Sequence, residues 1–253
     1  MISVNKKIKS IQGDLHIIET LKSGPVSTIY LTSFNGIKSV TRIDLPLVEA
    51  LKLDRKNEAV IIKSISHLEL APKILYQDDE EGILIWKYIE GEEVGLSGSI
   101  SEILLQKLGE SINSLHKSDI PKSAVDIFKD SMIFYKESLK DFAEKDFLQK
   151  GFDLYDEICR DEMEYVFSHN DLNRANILWR NKYYFLDWEY SSLNHPYFDI
   201  ASIVDSLRLS ESEINILWAG YCQDNSNIDF KKLNQWIKFL EYLEIFWKKS
   251  LSA

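Results

Sequence analysis

Asp171, Asn176 and Asp187 are the residues of this chain whose types and spacing could do chemistry. They lie in His169-Asn170-Asp171-Leu172-Asn173-Arg174-Ala175-Asn176 and, eleven residues beyond Asn176, in Phe185-Leu186-Asp187-Trp188-Glu189. Phosphoryl transfer from a metal nucleotide uses the interval His-x-Asp-x4-Asn, followed by a further carboxylate. A substrate hydroxyl is a poor nucleophile, so Asp171 is expected as the general base that orients it and takes its proton. Asn176 and Asp187 offer oxygens to Mg2+, a hard cation that bridges the phosphates of ATP. His169 joins Asp171 as a catalytic-loop residue, propping the loop by hydrogen bonds rather than reacting. Any one of these residues alone reads as a turn or cap. The three in order, each beside a short apolar strand, point to phosphoryl transfer.

Such a loop needs a scaffold, and the chain changes pattern near residue 90. Before it, the sequence predicts strands over His16–Leu21, Thr28–Phe34 and Ile37–Ile43, with a tight hairpin at Asn35-Gly36. An amphipathic helix is expected over Leu51–Ile65, a connection at Ile74-Leu75-Tyr76, and a last strand over Ile83–Ile89. Beyond Glu90-Gly91 the pattern is mostly helical. Ser99 with Glu102 predicts a capping box for one helix and Ser210 with Glu213 for another. Helical signal also covers about 124–158 and 229–247, and only 165–186 is strand-rich. The expected fold class is α+β and bilobal, with a small antiparallel-sheet N-lobe (1–90) and a mainly helical C-lobe (91–253) that carries the catalytic loop and the acceptor site.

In the N-lobe, Gly24, Ser27 and Thr28 sit in a turn between two strands, where backbone N–H groups could cover phosphates. The third strand offers Arg42 and the helix Glu58, a pair that could anchor the nucleotide; guanidinium can meet phosphate or carboxylate through two bonds. The alternative is a surface ion pair of little worth. Tyr88, within Trp86–Ile89 at the end of the last strand, is expected at the lobe hinge, where backbone groups would meet the adenine. Arg174 could touch phosphate or simply be solvated.

Thirty basic against forty acidic residues give a net charge of −10, which disfavours a nucleic-acid or anionic-membrane partner. With 45% hydrophobic residues the chain is globular. Cys159 and Cys222 form no Cys-x-x-Cys pair, so neither a disulfide framework nor a zinc site is expected. The first residues lack the apolar stretch of a secretory signal, and no run is long enough to span a bilayer. A cytoplasmic location is expected; the oligomeric state is open.

Only eleven residues lie between Asp187 and Asp199, and no Ala-Pro-Glu follows. That leaves no platform for a peptide, so the expected partner is a small-molecule hydroxyl acceptor. The loop, Asp187-Trp188-Glu189-Tyr190-Ser191-Ser192-Leu193-Asn194 and Phe198-Asp199-Ile200 together resemble the choline/ethanolamine kinase family, within the aminoglycoside phosphotransferase-like group. Arg42, Asn57-Glu58-Ala59, Ala71-Pro72-Lys73-Ile74-Leu75 and Tyr88-Ile89-Glu90-Gly91 resemble its N-lobe. The resemblance implies a protein-kinase-like fold and ATP-dependent phosphorylation of choline, ethanolamine or a related amino alcohol. It also implies that Asp171 is the base, that Asn176 and Asp187 bind Mg2+, and that Arg42 and Glu58 anchor phosphates. Alternatives are a thiamine, aminoglycoside or sugar kinase, and a non-catalytic nucleotide-binding regulator. A cationic acceptor would be met by an aromatic cage near acidic groups, with Glu189, Tyr190, Asp205 and Trp247 as candidates. Relatives resembling this end tend to carry a second Trp where this chain has Ser250, which implies an incomplete or differently built cage. Trp236, Leu240, Leu243 and Trp247 also fall at helical spacing, as plain core residues do.

Overall fold

A computed structural model describes residues 4–50, 55–96, 98–119, 127–142, 145–159, 165–223 and 226–250. The chain divides into two compact units, Met1–Glu92 with Leu178–Glu189, and Glu93–Ile177 with Tyr190–Ala253.

In the first unit a short helix α1 (Val4–Ser10) leads into strands β1 (Leu15–Ser23), β2 (Ser27–Phe34) and β3 (Ile37–Asp44). Asn35 and Gly36 both adopt positive φ (50° and 75°), as a two-residue hairpin requires. Helices α2 (Leu47–Ala50) and α3 (Arg55–Ser64) follow, then β4 (Ile74–Asp78) and β5 (Ile83–Lys87). The predicted helical residues 51–54 lie outside the described residues. The five strands form one antiparallel sheet in the order β1-β2-β3-β5-β4. β1 is an edge strand, and two register shifts twist its ladder. Ile11, Phe34, Ile83 and Ile85 form a core cluster under the sheet. β5 ends at Lys87, two residues before the sequence expectation; Tyr88 N–H still bonds Lys38 O, at 3.1 Å.

A two-residue strand β6 (Glu92–Glu93) precedes the second unit's helices α4 (Glu102–His116), α5 (Ile127–Ser138) and α6 (Lys145–Ile158). The expected Ser99 cap of α4 is corrected to Ser101. Ser101 takes the extended conformation of an N-cap and its side chain accepts from Leu104 N, while Glu102 is already helical. α4 buries Leu105, Leu108, Ile112 and Leu115, one stripe at 3–4 residue spacing. Strand β7 (Val166–Ser168) enters the loop holding Asp171; β8 (Ile177–Arg180) and β9 (Lys182–Phe185) then lead to Asp187. Phe185 N–H donates to Leu70 O at 2.7 Å, which ties this return segment to the first unit. β10 (Ser192–Asn194) pairs antiparallel with β7, and α7 (Tyr197–Leu207), α8 (Glu211–Cys222) and α9 (Phe230–Ser250) complete the chain. The Ser210–Glu213 capping box at α8 is present as expected. Aromatic rings fill the core between α6, α7 and α9; Phe152 stacks on Phe246 at 4.4 Å, and Trp236 on His195 at 5.1 Å.

Candidate active site

In the second unit, the loop that carries Asp171 is held at its backbone. Asp199, fully buried in the first turn of α7, accepts His169 N–H at 2.8 Å and Asn170 N–H at 2.9 Å. His116, at the end of α4, places Nε2 3.1 Å from the same carboxylate. Burial alone would raise the Asp199 pKa, but the hydrogen bonds from the His116 side chain and the His169 N–H hold it below the usual carboxylate range. Asn170 takes φ 64°, a left-handed conformation that Asn tolerates better than most residues. Its side chain donates to Tyr190 O (2.9 Å) and Ser192 Oγ (2.8 Å) and accepts from Asn194 Nδ2 (2.8 Å). His169 is buried, and Asp171 N–H donates to its Nδ1 at 3.3 Å.

This framework fixes Asp171 in space. Asn173 Nδ2 donates to its Oδ1 at 2.9 Å, and Asn176 Nδ2 donates to its Oδ2 at 2.7 Å and to its carbonyl at 2.9 Å. Both of these Asn176 bonds use its nitrogen, so its Oδ1 is the atom suited to a cation. Arg174 begins a single 3-10 turn capped by Asn173 and is exposed.

In the first unit, Arg42, Glu58 and Asp187 come together. Arg42 is 4% exposed. It forks onto Glu58, with Nη1 to Oε1 at 3.0 Å and Nη2 to Oε2, and Nη1 also reaches Asp187 Oδ1 at 3.3 Å. Its Nε lies 3.5 Å from Asp44 Oδ1, a partner that spacing along the sequence did not single out. Burial would lower the Arg42 pKa, but these carboxylates outweigh it and hold the charge firmly. Asp187 adopts φ 64° and keeps a third of its side-chain surface exposed. Among the described residues no three His, Cys, Asp or Glu side chains cluster as a metal cage. Magnesium takes one or two protein oxygens beside substrate phosphates and water. Asp187 in the first unit and Asn176 in the second each offer an oxygen of that hard type.

Gly24 N–H is spent within its own turn, donating to Ser27 O at 2.9 Å, and Thr28 is buried in β2. Tyr88 lies half-buried, with Lys38 Nζ 4.1 Å from its ring centre. Glu189, Tyr190 and Trp247 are half-buried, whereas Trp236 is core, as its helical spacing allows. Asp205 is exposed on α7; its pKa is raised by partial burial and by Glu241 and Glu244 of α9, against an opposing effect of Arg208. A cavity of about 690 Å³ beside the loop is lined by Asn173, Arg174, Ser206 and Arg208 among others. Asp199, His116 and Asn173 are the site residues that sequence reasoning missed as such. Asp199 was visible only as part of the Phe-Asp-Ile motif.

The family model of the Phosphotransferase enzyme family (APH) matches residues 42–233. The chain is 25% identical over 219 residues to a LicA homologue of Mycoplasma capricolum subsp. capricolum, which covers 84% of this chain and 85% of that protein. Choline kinase LicA from Streptococcus pneumoniae superposes with a TM-score of 0.74 at 17% identity, over 93% of this chain and 86% of that one. A spectinomycin phosphotransferase in complex with ADP and spectinomycin gives 0.66 at 14% identity, over 94% and 82%. The chain has the protein-kinase-like α+β fold expected from its sequence.

Proposed function

Because the chain belongs to the Phosphotransferase enzyme family, we propose that it transfers the γ-phosphoryl group of ATP to the hydroxyl of choline, ethanolamine or a related amino alcohol. The observation that carries this reading is Asp171. Its two carboxylate oxygens are each met by an amide, on a loop whose backbone is anchored to a buried carboxylate. A carboxylate so oriented can align an acceptor hydroxyl and take its proton as the phosphorus–oxygen bond forms. Asn173 and Asn176 direct it, because both meet it as donors.

Arg42, locked by Glu58, would hold nucleotide phosphate and the Asp187 carboxylate in place. Magnesium, held through Asn176 and Asp187, would neutralise charge developing on the phosphoryl oxygens. The use of ATP is supported by the ADP bound to the spectinomycin phosphotransferase. The amino-alcohol acceptor is supported by the resemblance of residues 187–194 and of Phe198-Asp199-Ile200 to the choline/ethanolamine kinase family. It is supported as well by the naming of the Streptococcus protein as a choline kinase.

The test is ADP release with choline, ethanolamine, thiamine, a sugar and an aminoglycoside, with and without magnesium. Turnover is expected with choline or ethanolamine, and its loss on chelation. Turnover with thiamine, a sugar or an aminoglycoside alone would move the acceptor assignment, and ATP binding without turnover on any acceptor would favour a regulator.

A further inference from the structure

α4 and α8 supply no residue to the catalytic loop, yet they meet at unusually short range. A Cβ on Gly109 would stand 2.1 Å from Leu217 O and 2.6 Å from Tyr221 N, and one on Gly220 would stand 2.1 Å from Gln106 O. Only glycine fits at such a crossing, so the two backbones are in direct contact. Tyr221 is the residue next to Gly220, and His116 lies two turns along α4 from Gly109. The crossing presses the Tyr221 and His116 rings edge to face, with centroids 5.5 Å apart at 80°. It also sets Tyr221 Oη 3.0 Å from His116 Nδ1.

His116 Nε2 faces Asp199 Oδ2 at 3.1 Å, and Asp199 holds the backbone N–H groups of His169 and Asn170. A carboxylate can only accept, so His116 must carry its proton on Nε2. Burial drives the Tyr221 pKa upward, so its hydroxyl keeps its hydrogen and can donate it to Nδ1. An Nδ1 that accepts is one that bears no proton. A neutral ring with Nε2–H toward Asp199 thus offers a bare Nδ1 to the phenol, so both neighbours favour the same tautomer.

We propose that Tyr221 of α8 is a positioning residue for phosphoryl transfer: its hydroxyl fixes the His116 tautomer, and through Asp199 the loop that presents Asp171. The proposal rests on the reading of Asp171 given above. Tyr221→Phe keeps the ring in the α4–α8 seam and removes only the hydroxyl. The expected result is a kcat lower by about five- to tenfold, the worth of one net hydrogen bond, with KM for ATP unchanged. Hydrogen exchange at the His169 and Asn170 amides should quicken by a similar factor. In a His116→Gln background the amide nitrogen can donate to Asp199 without a tautomer to choose, so Tyr221→Phe should there cost nothing further.

In the wild-type chain, heteronuclear NMR of His116 should place the proton on Nε2, a measurement that holds whether or not the variant folds. A proton on Nδ1, or unchanged amide exchange in folded Tyr221→Phe, would overturn the proposal. So would wild-type kcat in that variant. If the wild-type chain transfers no phosphoryl group, the reading of Asp171 fails; the NMR and exchange results then decide the Tyr221–His116–Asp199 connection by themselves.

Discussion

Asp199→Asn isolates the anchor of the catalytic loop. The carboxylate is fully buried and accepts three hydrogen bonds, from His116 Nε2, His169 N and Asn170 N. Asparagine has the same shape but a single acceptor oxygen. If that oxygen keeps the two donors now on Oδ2, the new NH2 group faces the Asn170 N–H. One buried donor left without a partner costs about 1–3 kcal/mol. The other two bonds lose their charge assistance, about 1 kcal/mol each. The sum is about 3–5 kcal/mol, a large share of the roughly 5–15 kcal/mol that stabilises a folded chain. The pH dependence has a definite sign. Asp199 has a depressed pKa in the fold, so its ionisation stabilises the native state above the unfolded carboxylate value of about 3.9. That contribution fades as pH falls through the lower folded value. Urea unfolding of the two chains should therefore differ most at neutral pH and converge on acidification below about pH 4. The variant's kcat should fall by at least about tenfold, since the base is no longer held in position. A variant within about 1 kcal/mol of wild type at neutral pH, with its kcat intact, would refute this account of the loop.

Three further substitutions probe other parts of the site. Arg42→Lys keeps the charge but cannot fork onto both Glu58 oxygens while reaching Asp187; it should cost about 1–3 kcal/mol in thermal unfolding and raise KM for ATP. Gly220→Ala drives a methyl group into Gln106 O and should destabilise by about 1–3 kcal/mol, read as a lower unfolding midpoint at constant m. Asn173→Ala removes the amide from Asp171 Oδ1 and should lower kcat about tenfold while nucleotide affinity, followed by calorimetry, is unchanged.

Local signals were legible where one stretch of chain determines its own shape. Asn35-Gly36 can form a two-residue hairpin whatever surrounds it, and Ser210 with Glu213 closes a capping box within four residues. The cap of α4 was misplaced because two serines compete there, and backbone conformation rather than composition selects Ser101. Arg42 and Glu58 were legible as a pair because a strand and the helix after it recur in this order; the Asp187 contact crosses 145 residues and rested on motif order. His116 and Asp199 are 83 residues apart, and neither shows a periodic sign of the other. Gly109 and Gly220 read singly as weak helix formers. Their purpose exists only once two helices touch. Burial likewise separates Trp236, a core residue, from Trp247 on the same helix, a distinction that spacing could not make.

The most direct test of the central claim is phosphorus NMR of the products formed by wild type and Asp171→Asn with magnesium, ATP and the best acceptor of the panel. The account predicts a phosphomonoester of that acceptor from the wild-type chain. From Asp171→Asn it predicts almost none, at unchanged nucleotide affinity. Phosphorylation by Asp171→Asn at the wild-type rate would contradict it.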